Sequence, residues 1–327
     1  MKPVGLYFTD RFPMWKEMEY CKRAEERGFY SVWQGQSRMA RDSILPLAAI
    51  AAVTKKLKLG SGVIHTWTRN PAIIAVIFST LNEISGGRAL LGIGALWEPM
   101  ASKIGIERKT PMLAVREYVQ VLQRLFRMET VTFHGEHVNL TDIRLEKPTS
   151  YIPVYVGATG FKMIELAGEI ADGAVLNYMV SPEYNKNAMR HLEEGARRAR
   201  RSLSSIDRPQ LVACSLNEDS QKAIDAVRPM VTEYLGMEPH IMKMSGVRES
   251  LVREIRETLG GWPPKPGGLE RAMQLVDDRI VQFLTASGTA DECRRKVQAY
   301  VDEGCTCPLL WPIGDNVEDL IEAFAEN

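Results

Sequence analysis

The stretch "VYVGATGFKMIELAG", Val154 to Gly168, joins a strand-like run to a helix-like run through Gly157, Ala158, Thr159 and Gly160. Apolar positions at Met163, Ile164, Ala167, Ile170 and Ala171 predict a helix that starts directly after the turn. Backbone N–H groups without helical partners, and the positive end of the helix dipole, favour an anion such as phosphate there. A plainer reading stands beside it, since many such turns use glycine only for its positive φ. Three other residues at the ends of strand-like runs are suited to proton chemistry. Tyr7, with a phenol pKa near ~10, is a donor and not a base at neutral pH. His65 carries the one side chain that ordinarily titrates close to neutrality, although lone histidines also serve packing. Glu98, just beyond "GIGALW", is either a working carboxylate or a solvated loop charge. Trp33, Trp67, Trp97 and Trp311 also fall near strand ends, where they either wall an apolar aromatic pocket or simply pack.

Composition narrows the partners. The 327 residues are 45% hydrophobic and 25% charged, an ordinary globular balance with material for a large core. Lys plus Arg and Asp plus Glu both total 41, so nothing in the charge recommends nucleic acid. The basic run "RRARR" from Arg197 ends a helix-like segment and reads as a solvated helix end. No uncharged apolar run approaches the ~20 residues of a membrane span, and the chain opens on the strand-like "PVGLYF", so a cytoplasmic protein is expected. Five cysteines at irregular spacing suit a reducing compartment. Cys305 and Cys307 read as buried strand-end residues, and His134 and His137 as flanks of a hairpin turn, so no metal is expected.

These residues need elements to position them. Short apolar runs alternate with longer amphipathic ones: "VGLYF", "YSVW", "LKLGSGVI" and "ALLGIG" each lead to a helix-like segment, with Pro71 suited to a first helical turn. The rhythm breaks at a hairpin within 131–140 and resumes with "VYVGATG", "GAVLN", "QLVACSL" and "PLLWPIG". Thr289 is the expected cap of the helix "ADECRRKVQAYVDE", and Asp42 that of the helix after the second strand. Eight strand-helix units with right-handed crossovers predict a (β/α)8 TIM barrel, as one domain over 1–327 with a hairpin insertion near 129–148 and an irregular insertion or lid near 236–275. An open doubly wound sheet is the rival and requires a reversal of strand order. In a barrel the reactive face lies at the carboxyl ends of the strands. That places residues 157–160 at the same mouth as "LGSGV" and "LGIG" and favours the phosphate reading.

Five stretches, "RDSILPLAAIAAVTKKLKLGSGV", "RNPAIIAVIFSTLNEISGGRALLGIG", "VTFHGEHVNL", "PVYVGATGFKMIELAGEIADGAVLN" and "SGTADECRRKVQAYVDEGCTCPLL", resemble in order the bacterial luciferase-like superfamily of flavin and deazaflavin oxidoreductases. Within it the chain is most similar to methylenetetrahydromethanopterin reductases, which use coenzyme F420. The resemblance implies a barrel that binds F420, or alternatively FMN, and is a homodimer. It implies that Gly157, Ala158, Thr159 and Gly160 contact the cofactor phosphate. Ser61, Gly62 and Val63 would form a bulge behind the ring, often with a non-proline cis peptide. Gly94 and Ala95 would leave room for the ring, and Asn177 would hydrogen-bond cofactor or substrate.

The chain departs from those reductases where the substrate is handled. Their first strand ends in a glutamate proposed as the acid, and Tyr7 stands here; their Asp-His after the second strand is replaced by Gln36 and Ser37. Tyr7, Glu98 and His65 are therefore the catalytic candidates, and Gln36, Trp97 and Trp311 the substrate-side ones. The expected function is F420-dependent hydride transfer to or from a small organic substrate, of which a methylenetetrahydropterin is one type. The alternatives are an FMN-dependent luciferase-like monooxygenase and a non-catalytic flavin- or pterin-binding relative.

Overall fold

A computed structural model describes residues 3–36 and 38–325, so Ser37 lies outside the described residues. The chain divides into two compact units. The larger comprises Gly5–Leu176 and His191–Pro209. It begins with β1 (Gly5–Phe8), α1 (Met14–Glu26), β2 (Ser31–Gln34), α2 (Ile44–Val53), β3 (Lys58–Ser61), β4 (Ile64–His65) and α3 (Pro71–Ser85). It continues with β5 (Ala89–Gly94), α4 (Glu98–Lys103), α5 (Pro111–Phe126), the hairpin β6 (Val131–His134) and β7 (Asn139–Ile143), β8 (Val154–Ala158), α6 (Phe161–Ile170) and β9 (Gly173–Leu176). Helix α7 (Pro182–Arg198) gives its second half to this unit and its first half to the other.

The strands of the larger unit lie in the order β1, β2, β3, β5, β8, β9, all parallel, with β4 beside β5. The order follows the sequence without reversal, so the switch point of a doubly wound sheet is absent from the described residues of this unit. Every residue of β1, β2, β5 and β9 is buried, as strands covered on both faces require. The helix ends are set by local chemistry. Asn70 accepts a hydrogen bond from the Ala72 N–H, Pro71 opens α3, and Gly86 closes it at φ 68°. The N-cap of α2 is Ser43 rather than the expected Asp42, but the Asp42 carboxylate, one residue earlier, accepts from the N–H groups of Ile44 and Leu45 at the helix start.

The other unit holds β10 (Pro209–Leu216), α8 (Ser220–Met237), α9 (Pro239–Met244), α10 (Glu249–Leu259), α11 (Gly268–Met273) and α12 (Asp278–Leu284). It ends with β11 (Ala286–Gly288), α13 (Ala290–Asp302), β12 (Cys307–Pro312) and α14 (Val317–Ala323). Strand β10 runs between β11 and β12. Thr289 and Glu292 form the full capping box at the start of α13, one step beyond the expected cap alone. All five cysteines are buried, and among the described residues no helix is long and apolar enough to cross a membrane.

Three local differences have physical reasons. "LKLGSGVI" is two strands rather than one, interrupted at the cis peptide Gly62–Val63. The stretch from 236 is largely helical where irregular chain was expected. Leu251, Val252, Ile255 and Leu259 bury one face of α10, and only 260–267 follows the glycines and prolines. Strand β11 is three residues long, too short to leave a pattern. The hairpin is where the sequence placed it. Its turn is held by the buried Glu117 carboxylate, which accepts from the backbone N–H groups of Glu136, His137 and Val138 at 2.8–2.9 Å.

Candidate active site

The carboxyl ends of β1, β2, β3 and β5 and of β8 gather in the larger unit, and the registers say how. Tyr7 is level with Trp33, and Trp33 with Gly60. The Trp33 indole occupies the space a side chain at Gly60 would need, and it meets Tyr155 edge-on at 5.2 Å. Tyr7 is buried, and its hydroxyl donates to the Gly62 carbonyl at 2.9 Å. Both Gly35 and Gly62 are needed for that ring: a side chain at Gly35 would strike the Tyr7 hydroxyl, and a Cβ at Gly62 would stand 2.9 Å from Tyr7 Cε2. The next turn of the arrangement is held by Ser61, whose hydroxyl donates to the Gly92 carbonyl at 2.8 Å while accepting the Gly92 N–H at 2.9 Å.

Beyond Ser61 the Gly62–Val63 peptide is cis, and Val63 lies against the neighbouring strand ends. A Cβ at Gly94 would lie 3.0 Å from one Val63 methyl, and a Cβ at Gly157 2.9 Å from the other. The glycines therefore let this side chain lie close against two strand ends. At the end of β8, Gly157, Thr159 and Gly160 are half-buried and Ala158 buried. Gly160 is the N-cap of α6, no side chain caps that helix, and no atom lies within 4 Å of where its Cβ would stand. These are the properties an anion needs: donors at a helix start, no competing side chain and room. They also suit the phosphate of a cofactor.

The catalytic candidates have different settings. Burial, with the Arg69 charge adding to it, pushes His65 down to about 4, so its imidazole is neutral across the physiological range. Glu98 opens α4 as an exposed carboxylate, paired with Arg108 at 3.1 Å and accepting from Ser102 at 2.9 Å; those hydrogen bonds hold it below the usual carboxylate range. Gln36 accepts from Arg69 at 3.1 Å, Ala95 is half-buried, and Trp97 is the half-buried N-cap of α4. In the smaller unit, Asn177 donates to the Tyr234 hydroxyl at 2.5 Å, and Gln210 donates to the Asn177 carbonyl at 2.8 Å. Tyr178 packs edge-on against Trp311 and tilted against Tyr234, each at 5.0 Å.

Sequence reasoning passed over Tyr178, Tyr234 and Glu17. Tyr178 adjoins Asn177 and was legible by position, whereas Tyr234, deep in α8, carries no local signal. Glu17 sits in the middle of α1, fully buried, where a glutamate normally reads as solvent-facing. Among the described residues no group of three or more His, Cys, Asp or Glu is placed to hold a metal.

The chain is 30% identical to a 5,10-methylenetetrahydromethanopterin reductase of Methanolobus tindarius, covering 98% of both chains. It is 30% identical to an F420-dependent glucose-6-phosphate dehydrogenase of Kineococcus radiotolerans, covering 97% of this chain and 93% of that one. The solved coenzyme F420-dependent tetrahydromethanopterin reductase of Methanopyrus kandleri superposes with a TM-score of 0.88 at 28% identity, covering 98% of this chain and 96% of that one. The fold expected from the sequence, a luciferase-like (β/α)8 TIM barrel, is the fold of this chain. Residues 9–307 match the family described as luciferase-like monooxygenase, and the chain belongs to that family.

Proposed function

We propose that the chain is a coenzyme F420-dependent oxidoreductase that moves a hydride between the deazaflavin and a small organic substrate. The observation that carries this reading is the Val63 side chain packed against Gly94 and Gly157 where the open, uncapped start of α6 follows β8. On this reading Ser61, Gly62, Val63, Gly94 and Ala95 serve the ring, and Gly157, Ala158, Thr159 and Gly160 the phosphate. Asn177 serves cofactor or substrate, and Gln36, Trp97 and Trp311 serve the substrate. When bound, the deazaflavin gives or takes the hydride. The protein's share is orientation, exclusion of water and management of a proton. Tyr7 spends its hydroxyl proton on the Gly62 carbonyl. His65 offers a neutral imidazole, and Glu98 an ionised carboxylate at the exposed start of α4.

The relatives' names bring two substrate classes forward, a methylenetetrahydropterin and a sugar phosphate. Tyr7, in place of the reductases' glutamate, supports a proton route of its own for this chain. Five cysteines, an odd number at irregular spacing, favour a reducing, cytoplasmic setting. A second copy of the chain is the partner that suits the outer faces of α2 and α3, where Leu45 is 75%, Ile73 56%, Val76 54% and Ile84 53% exposed. The functional reading is tested by titrating the purified protein with F420 and with FMN side by side. F420 binding with hydride exchange is expected. Tight FMN binding with oxygen-dependent turnover would replace the reading with a monooxygenase, and binding of neither would leave a non-catalytic relative.

A further inference from the structure

At the carboxyl ends of β1 and β2, behind Tyr7, four charged side chains alternate in sign and tie three loops together. The Arg41 guanidinium is a three-way fork. Nη1 donates to the Thr9 carbonyl at 3.1 Å and to Glu17 Oε1 at 2.5 Å, and Nη2 donates to the Phe12 carbonyl at 2.8 Å. Thr9 and Phe12 bracket the segment between β1 and α1. Glu17 is fully buried, and its second oxygen accepts from Gln34 Nε2 at 2.7 Å, so the fork is anchored to the last residue of β2. One residue on, Asp42 pairs with Arg69, and Arg69 donates to Gln36 at 3.1 Å. Gln36 follows Gly35, whose N–H donates to the Phe8 carbonyl at 2.8 Å and which lies directly against the Tyr7 hydroxyl.

We propose that Arg41 is a positioning residue for the site: braced by Glu17, it sets the segment 9–12 and, through Asp42 and Arg69, the segment carrying Gln36 beside Tyr7, before any ligand arrives. Two observations separate this from ordinary packing. A buried carboxylate is a costly way to hold a helix on a sheet, because desolvation offsets the attraction and apolar residues of equal volume do the same work. What the ion pair adds is direction, since a planar guanidinium is the side chain that can reach two carbonyls and a carboxylate at once. In addition, Gln34 Oε1 is buried without a hydrogen-bond partner. With the Gln34 amide turned over, that oxygen would accept a proton held on Glu17, so the brace has a second, uncharged state.

The charged and titratable groups around Glu17 are Arg41 ahead of α2, Asp10 in the segment after β1, and Cys21 one turn along α1. Burial outweighs the help of Gln34 and Arg41 and pushes the Glu17 carboxyl up to about 7. His65 titrates well below this range. The ionised, braced state therefore forms as the pH rises through neutrality.

The test uses the full-length protein and the variants Arg41→Ala, Arg41→Lys and Glu17→Gln. Amide hydrogen exchange of 9–12 and 35–36 is read in the absence of any ligand, and F420 affinity is read from about pH 6 to 8. Exchange in both segments is expected to speed up about tenfold in Arg41→Ala, with Arg41→Lys recovering part of the protection. In the unsubstituted protein, segment protection and F420 affinity are expected to rise together with pH, and in Glu17→Gln both lose that slope. Should Arg41→Ala fail to fold, Arg41→Lys and Glu17→Gln decide the matter alone. Exchange at the original rate in all variants, or a pH slope that survives Glu17→Gln, would overturn the proposal. The F420 arm rests on the functional reading above, whereas the exchange arm does not. A protein that ignores F420 but loosens in Arg41→Ala defeats the first and keeps the second.

Discussion

Gly160 is the residue at which fold and function can be pulled apart. Its φ of −79° and ψ of 141° suit any residue, and its Cβ position is open. Aspartate is also a better N-cap than glycine by a few tenths of a kcal/mol. Gly160→Asp should therefore hold or raise the melting temperature while lowering F420 affinity at least tenfold, because the new carboxylate takes the helix start from the phosphate. Unchanged affinity in calorimetry would remove the turn from the site. Gly157→Asp is the poorer probe, since its Cβ already meets Val63. Glu17 makes a second residue-level prediction. Its carboxyl rises from 4.5 to about 7 on folding, so it contributes stability in full below about pH 4.5 and loses it as the pH climbs through about 7, a swing of about 3 kcal/mol. Denaturant melts of Glu17→Gln should lack that decline. Global stability and the order of the segments at Arg41 thus move in opposite directions with pH.

At the scale of elements, the capping box of α13 offers a clean measurement. Thr289→Ala removes the acceptor for the Glu292 N–H and should cost about 1 kcal/mol in chemical denaturation, with cofactor affinity unaltered. Such signals were also what made the fold legible. Pro71, Thr289 and the alternation of buried apolar runs with amphipathic ones set the eight strand-helix units without tertiary information. The helices beyond Met237 were obscured because Gly260, Gly261, Pro263, Pro264 and Pro266 dominate the local composition, while the amphipathic face of α10 is only eleven residues long. The glycine-bearing strand ends were reached through the family resemblance, since glycine there also serves plain turns. The Glu17, Gln34 and Arg41 brace was not legible, since it joins residues 17 and 24 positions apart whose types read separately as polar surface residues. Tyr234 escaped for the same reason, being 57 positions from Asn177.

For the whole molecule, the surface that tests the proposed pairing of two copies is the outer face of α2 and α3. Ile73, Val76 and Ile84 recur along α3 at helical spacing and, with Leu45 on α2, leave an apolar face that water covers at a cost of about 25 cal/mol per Å2. A stable pair of chains buries about 1,200–2,000 Å2 in total, and two such helices per copy are of the right size to supply it. Val76→Lys combined with Ile84→Lys is expected to halve the mass seen in sedimentation while leaving the circular dichroism of the chain intact. A doubly substituted protein that still sediments as a dimer would place the contact elsewhere.

Val63 ties positions far apart in the chain into a single steric unit. Its two methyl groups fill the places where Gly94 and Gly157 would carry side chains, so none of the three residues is free to change size alone. Alanine at 157 should be poorly tolerated beside valine at 63 and relieved by alanine at 63, with a double-mutant coupling of the opposite sign to the single costs. Among proteins built on this plan, the volumes at these three sites should therefore drift together, a signature readable from sequences alone.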